Sequence, residues 1–491
     1  MEIKIYNSLD KKKEIFKPIE KDVLKMYSCG PTVYNYVHIG NLRAYFFMDL
    51  ICRIFKYNGY DILNVLNITD VGHLVSDADE GEDKMLKAAR IEKKSPFEIA
   101  RFYEKAFLKD IKAMNILMPW KIVRATDHIK EMEEYVEDLI KKGFAYETSN
   151  TVYFDVSKVN NGKPILNKQK SGKIAGARVD VDKEKKNPED FALWIKAPKN
   201  HIMKWESFFG ESYPGWHLEC SVMANKYLGE VFDIHTGGTD HIPVHHENEI
   251  KQSIGKTGKV PANYFMHVEF LQVDGGKMSK SLGNTYTLSD LEERGFSPLD
   301  FRYFLMQTSY RKLINFTFES LKSAQIALNK LNIEYGKIVK EIEEKQKQQQ
   351  KKDINVKNKE EQNKEKTKEL EIKEKTLSDF KNAINDDINI TKGLSILWQL
   401  LKEDINPKIK KEIIDEMDKV FGFDLKNTYM NTKYETEDEE IPEEIEKSLK
   451  EREEARKNKD FKLADNIRDK ISAMGFDIID TKDGQKLNKR M

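Results

Sequence analysis

Residues able to do chemistry gather in a few short segments of this chain. Val37-His38-Ile39-Gly40-Asn41 reads as the entrance of a helix, where unpaired backbone N–H groups and the positive dipole end favour an anion. His38 adds a donor that can become cationic, and Gly40 lets a ligand approach the backbone. A histidine at a helix start is also an ordinary cap, so this segment alone decides nothing. Far downstream, Lys277-Met278-Ser279-Lys280-Ser281 sits between Gly275-Gly276 and Gly283-Asn284. Two lysines and two hydroxyls on a glycine-flanked loop suit a pyrophosphate. Neither lysine has to move a proton; both supply charge that counts most as phosphate oxygens gain charge in the transition state. Alone, such a Lys/Ser cluster is more often a solvated loop.

A metal could be held by Cys29, by Cys220 in Gly215-Trp216-His217-Leu218-Glu219-Cys220-Ser221, and by the run His245-His246-Glu247-Asn248-Glu249. On a helix His245 and Glu249 share a face. Two thiolates, one imidazole and one carboxylate form a tetrahedral zinc shell. His246 is the rival ligand, and only the partnership with Glu249 favours His245. No CxxC pair raises the odds, so each cysteine also reads as a small buried hydrophobe. Cys52, inside an apolar stretch, fits that reading best.

The elements that must position these residues begin with a crossover unit. Leu24 to Cys29 is a short apolar strand, Gly30-Pro31 break it, and a helix runs to about Tyr57. Asp61 to Ile68 returns as a buried strand, which implies a parallel sheet with ligands at the carboxyl ends of its strands. Helical patterns fill roughly 83–145, and a Gly/Lys-rich, less regular region spans about 147–190. Strands are expected at Val231 to Ile234 and Tyr264 to Val273. Ser297-Pro298-Leu299-Asp300 has the marks of a helix start. Leu321, Ala324, Leu328, Leu331, Tyr335 and Ile338 line one helix face. From 341 to 375 lysine and acid nearly balance and aromatics vanish, as in a solvated helix or a disordered insert. Helix resumes from Leu377 to Leu401. An acidic linker around Glu435 to Glu446 precedes a helix of about Ile445 to Met474, stopped by Gly475, and a hairpin turning at Lys482-Asp483-Gly484.

Composition bounds the function. The chain has 491 residues, with 83 Lys+Arg against 83 Asp+Glu, which argues against a polybasic binder but allows a local basic groove. No run of apolar residues reaches the length of a membrane span, and no membrane partner is expected. The N-terminus lacks a signal-peptide pattern. Three cysteines cannot make a disulfide scaffold and suit a reducing cytoplasm.

Together the two phosphate motifs resemble the signatures of class I aminoacyl-tRNA synthetases. The lysine motif matches at all five positions, while Asn41 stands where the family usually has histidine. The set of Ser28-Cys29-Gly30-Pro31-Thr32-Val33-Tyr34, Gly215 to Ser221 and His245 to Glu249 narrows the resemblance to the cysteinyl-tRNA synthetase family. Asn67-Ile68-Thr69-Asp70, Gly237-Gly238-Thr239-Asp240, Asp386-Asp387 and Glu451 to Ile471 extend it over nearly the whole chain.

That resemblance implies an α/β fold with the following layout. A Rossmann-like catalytic domain spans 1–296, with a connective insertion at about 115–215. A helical stem at 297–340 leads to the charged insert, 341–375, which has no counterpart in the resemblance. A helical domain at 376–432 and a small mixed α/β anticodon-binding region at 436–491 complete it. The resemblance further implies that His38, Asn41, Lys277 and Lys280 are catalytic. ATP would meet His38, Gly40, Asn41, Gly238, Asp240, Lys277, Met278, Ser279, Lys280 and Ser281. Thr69 and Trp216 would line the amino-acid pocket, and Cys29, Cys220, His245 and Glu249 would hold one Zn2+. Mg2+ would accompany ATP; the partners would be L-cysteine and tRNA(Cys), with the chain acting as a monomer. Rival readings are a cysteine-activating enzyme with a small-molecule acceptor, which would not need the tail, and a non-catalytic RNA-binding or zinc-stabilised scaffold, which would not need the lysine loop.

Overall fold

Val23–Ser28 and Asp61–Ile68 lie side by side in parallel, from Val23 opposite Asp61 to Ser28 opposite Leu66. Numbered in chain order within their sheet they are β1 and β2, followed by β3 (Lys121–Arg124), β4 (Phe232–Gly238) and β5 (Ala262–Val268). The spatial order is β5-β4-β1-β2-β3, every neighbour parallel. The order reverses between β1 and β4, and sheets of this kind bind ligands outside the carboxyl ends of their strands at that reversal. Helix α1 (Ile39–Tyr57) makes the first crossover and is buried along most of its length, from Ile39 and Leu42 to Ile54 and Phe55. The computed structural model describes residues 2–491 apart from 73–83, 167–182, 200, 279–282, 352–358, 430–442, 459, 475, 482–483 and 490–491.

Strand β3 departs from the sequence reading. The stretch 83–145, which looks helical throughout, holds helices Lys84–Glu92, Pro96–Ala113 and Ile129–Lys141 with this strand between them. Four residues are too few to impose a period of two on flanking helical patterns. The expected strand Tyr264 to Val273 likewise divides into β5 and Leu271–Val273, which pairs with Ile314–Phe316. A second, antiparallel sheet contains Ala145–Glu147, Thr151–Phe154, Phe191–Lys196, Gly210–Pro214 and Trp205–Ser207 in spatial order. It falls inside the expected insertion of 115–215, but β3, also inside those limits, belongs to the main sheet.

Further on, Ser297 and Asp300 cap helix Pro298–Met306 reciprocally. Helix Phe318–Lys351 buries Leu321, Ala324, Leu328, Leu331, Tyr335 and Ile338. On either side of 352–358 the charged insert is helical, ending the first helix at Lys351 and opening Lys359–Asn385. Asp386-Asp387 then interrupts the helix expected over Leu377 to Leu401, and Ile390–Leu400 follows.

The chain divides into two compact units, Met1–Leu425 and Lys426–Met491. In the second, the helix expected over Ile445 to Met474 is two, Glu443–Lys457 and Phe461–Ala473. The Asp460 side chain accepts from Leu463 N at 3.0 Å and starts the second helix, a break that apolar spacing alone conceals. Phe476–Thr481 and Gly484–Lys489 form the hairpin. Gly475, the turn residues 482–483 and most of the acidic linker lie outside the described residues. Among the described residues, no helix is long and apolar enough to cross a membrane.

Candidate active site and metal centre

Cys29 follows the last residue of β1, and its backbone N–H donates to Thr236 of β4 at 3.3 Å. Gly30 then passes so close to β2 that a Cβ there would lie 1.5 Å from the Asn67 carbonyl oxygen. Only glycine fits, and the contact brings Cys29 beside the strand end that carries Thr69. Gly215 plays the same part for helix α2 (Trp216–Leu228): its Cβ would lie 2.2 Å from the Ala192 carbonyl oxygen of the antiparallel sheet. Cys220 thereby faces the reversal point from one turn inside α2. Helix α3 (His245–Thr257) enters just beyond β4 and supplies His245 and Glu249.

The ligand atoms of Cys29, Cys220, His245 and Glu249 all lie within 4.8 Å of one another. A second set, Cys29, His235, His246 and Glu249, meets the same limit. The two share Cys29 and Glu249. Glu249 is buried between His235 Nε2 at 2.7 Å and His245 Nε2 at 2.9 Å. Behind them, His245 Nδ1 meets His217 Nδ1 at 3.0 Å, and His246 Nδ1 meets His267 Nε2 at 2.9 Å. His246 Nε2 stands 3.3 Å from Cys29 Sγ.

Charge is distributed unevenly in this cluster. Burial alone would raise the Glu249 carboxyl, but the two imidazoles hold it well below the usual carboxylate range. A hydrogen bond from Cys29 brings the Cys220 thiol down to about 7 against the effect of burial. Burial and the Cys220 sulfur push Cys29 well up. Burial works against a charged His245, yet Glu249 and Cys220 keep its pKa well above the ordinary histidine value. Burial and neighbouring imidazoles hold His246 well below it. Two sulfurs, a nitrogen and a carboxylate oxygen at this spacing fit a zinc ion. Second imidazoles stand behind them to fix ring orientation.

Thr69 and Trp216 are the residues expected to line a pocket. Thr69 Oγ1 donates to the buried Glu219 at 2.9 Å and accepts from Asn67 Nδ2 at 3.1 Å. Trp216, partly exposed at the start of α2, has its ring 4.7 Å from that of His245. At the first motif, His38 caps α1: its Nδ1 accepts from Asn41 N at 3.2 Å, and Asn41 Oδ1 accepts from His38 N at 3.2 Å. A Cβ on Gly40 would lie 3.6 Å from Met278 Cε, and Ile39 N donates to the Tyr286 carbonyl at 2.8 Å. Thus Gly40 of the first motif stands beside Met278 of the second. Gly238 ends β4, and its Cβ position lies 2.2 Å from Oδ1 of the exposed Asp240. Lys277 closes the short strand Gly276–Lys277 opposite Gln272. Ser279, Lys280 and Ser281 lie outside the described residues.

The sequence reading passed over His217, His235, His241 and His267. Six of the ten histidines in the chain fall between residues 217 and 267, and that density was an available signal. His235 could be read only as a strand residue, since its partner Glu249 lies across an intervening loop.

Comparison with known proteins identifies the family. The family model for the tRNA synthetases class I (C) catalytic domain matches residues 15–326. That for the cysteinyl-tRNA ligase anticodon binding domain matches residues 438–486. A cysteine–tRNA ligase of Treponema denticola is 42% identical over 498 residues, covering 100% of each chain. Cysteine–tRNA ligase 1 of Burkholderia lata is 40% identical over 490 residues, covering 99% of this chain and 97% of its own. Among solved structures, Mycobacterium tuberculosis methionyl-tRNA synthetase in complex with methionyl-adenylate matches with a TM-score of 0.57 at 13% identity, over 82% of this chain and 90% of that one. The Agrobacterium radiobacter LeuRS ternary complex with tRNA gives 0.57 at 10% identity, over 83% and 84%. These two show the fold alone: a Rossmann-like α/β catalytic core. With both family models matched and relatives aligned end to end, the chain belongs to the cysteinyl-tRNA synthetases, the cysteine–tRNA ligases of class I.

Proposed function

We propose that the chain activates L-cysteine with ATP and transfers it to tRNA(Cys), and that its metal centre selects the substrate by its sulfur. The observation that carries the reading is the convergence of Cys29, Cys220, His245 and Glu249 at the sheet's reversal point. A zinc ion held by these four residues would supply a bond to the substrate thiolate, by expanding its coordination or releasing a protein ligand. Cysteine and serine differ by one atom, and a single methylene is worth only about 1–3 kcal/mol in a shaped pocket. Sulfur coordination provides the missing discrimination.

Thr69 and Trp216 wall the pocket. His38 accepts through Nδ1 from Asn41 N, so the neutral ring carries its proton on Nε2 and can donate to phosphate. Asn41 spends its oxygen on His38 N, which leaves its amide N–H groups as donors. Both side chains therefore complement the helix N-terminus in binding anionic oxygen. The cysteine carboxylate attacks the α-phosphorus, the bond to the bridging oxygen breaks, and pyrophosphate leaves against Lys277 and Lys280. Gly238 and Asp240 serve the ribose side, with Met278, Ser279 and Ser281 along the phosphates; Mg2+ accompanies the nucleotide. A terminal tRNA hydroxyl then attacks the activated carbonyl and AMP departs. Positioning and charge carry both steps.

The residues from 436 onward are proposed as the anticodon reader. The chain is proposed to act as a monomer, and in the cytoplasm, where its thiols stay reduced. The test is cysteine-dependent exchange of labelled pyrophosphate into ATP, followed by charging of tRNA(Cys). Exchange with cysteine but not serine is expected. No exchange would overturn activation, and exchange without charging would return the small-acceptor reading.

A further inference from the structure

Outside the metal and phosphate motifs, one exposed cluster has the chemistry of a nucleic-acid contact. Tyr36 is 48% exposed, on the loop that leads from Cys29 to His38. Phe102, 43% exposed, stands on helix Pro96–Ala113. Their ring centroids are 6.1 Å apart, and both rest on the buried Tyr103 ring, at 5.0 and 5.1 Å, in edge-to-face geometry. The three rings meet steeply, at 72° between Tyr36 and Phe102 and at 90° and 85° against Tyr103. Such a base fixes two aromatic rings at the surface, one of which, Tyr36, is two residues upstream of the helix-capping histidine.

Cations border them, each paired with an acid. Lys94 Nζ lies 4.6 Å above the Phe102 ring, and the half-exposed Arg101 is held by Glu104 at 3.0 Å. The neighbouring acids are engaged within the protein. Glu92 accepts from Tyr103 Oη and pairs with Lys94 at 3.2 Å, Glu98 closes the Ser95 cap at 2.8 Å, and Glu104 takes Arg124 at 2.6 Å. Exposed aromatic side chains bordered by cations are how proteins hold unpaired bases, whatever the base.

We propose that Tyr36 and Phe102 form a stacking shelf for the unpaired 3′ end of the tRNA substrate, holding it where its terminal hydroxyl reaches the activated carbonyl. The proposal rests on the reading that the acceptor is an RNA hydroxyl. It makes these rings positioning residues for transfer, with no part in activation.

The test compares the enzyme with a Tyr36→Ala/Phe102→Ala variant and with Tyr36→Phe/Phe102→Tyr, which keeps both rings. The probe is a tRNA(Cys) transcript carrying 2-aminopurine near its 3′ end, whose fluorescence is quenched on stacking. The alanine variant should keep pyrophosphate exchange within about twofold while its KM for tRNA rises roughly tenfold or more, the order expected for loss of base stacking. Quenching should vanish in the alanine variant and return in the ring-retaining one. A tRNA trimmed of its single-stranded 3′ end should bind all three proteins equally. Unchanged KM and quenching would overturn the shelf, as would an equal loss with trimmed tRNA. A parallel fall in exchange would show that the rings support the pocket instead. If the unsubstituted enzyme gave no exchange, activation itself would fall, and the fluorescence arm would still judge the shelf.

Discussion

Zinc uptake should release protons, in a number set by how the cluster's own charges shift its ligands. Metal ligands must be deprotonated. In the metal-free cluster Cys29 is held as a thiol and His245 as an imidazolium, whereas Glu249 is already ionised. Cys220, brought to about 7, changes state in the middle of the accessible range. Below pH 7 three groups therefore lose protons on binding, and above it two. Each pH unit downward should weaken apparent zinc affinity about hundredfold above neutrality and approach thousandfold below it. At about 1.4 kcal/mol per decade, that is roughly 3 and 4 kcal/mol per pH unit. Chelator competition between pH 6 and 8 reads the slope, and zinc titration in weak buffer counts the protons directly. Cys220→Ser should weaken binding and remove the steeper limb. The alternative set contains His246, already held neutral, and would release fewer protons. A slope near one throughout would refute the assignment of Cys220 and His245 to the metal.

Lys280→Ala should slow adenylate formation far more than it weakens cysteine binding, because its charge counts most in the transition state; pre-steady-state exchange rates decide, and a mere rise in ATP KM would reduce the loop to binding. Truncation after Leu425, the end of the first compact unit, should leave cysteine-dependent exchange largely intact and abolish most charging; full charging by the truncated protein would show that the tail does not recognise tRNA. Asp49 is fully buried and accepts from Arg53 at 2.8 Å, Arg302 at 2.6 Å and Leu117 N at 2.8 Å. Asp49→Ala, which strands two buried guanidinium groups, should cost about 3–5 kcal/mol; an unchanged thermal midpoint would contradict it. Cys52→Ala, in the buried face of α1, should keep zinc and exchange at a packing cost of about 1 kcal/mol.

Local chemistry made much of this architecture legible. The Gly30-Pro31 break, the Ser297 capping box and the stripe from Leu321 to Ile338 each express a short-range rule that tertiary contacts did not override. β3 and the break before Phe461 were not legible, because a four-residue strand and a single capping acid leave little periodic trace. At the site, His245 and Glu249 could be paired by helical spacing. The imidazoles of His217, His235 and His267 reach the centre through long-range packing of strands and helices, which spacing does not encode. Asn41 read as a weakened histidine, yet its bonds with His38 give it a capping role of its own. The Tyr36–Phe102 contact spans a loop and a distant helix, and no motif joins them.

Sulfur coordination of the substrate is the claim on which the rest depends, and X-ray absorption at the zinc edge tests it most directly. Without substrate the spectrum should fit two sulfur scatterers at about 2.3 Å, from Cys29 and Cys220, with nitrogen and oxygen completing the shell. Added cysteine should raise the sulfur count to three, and added serine should leave it at two. A sulfur shell unchanged by saturating cysteine would contradict the account.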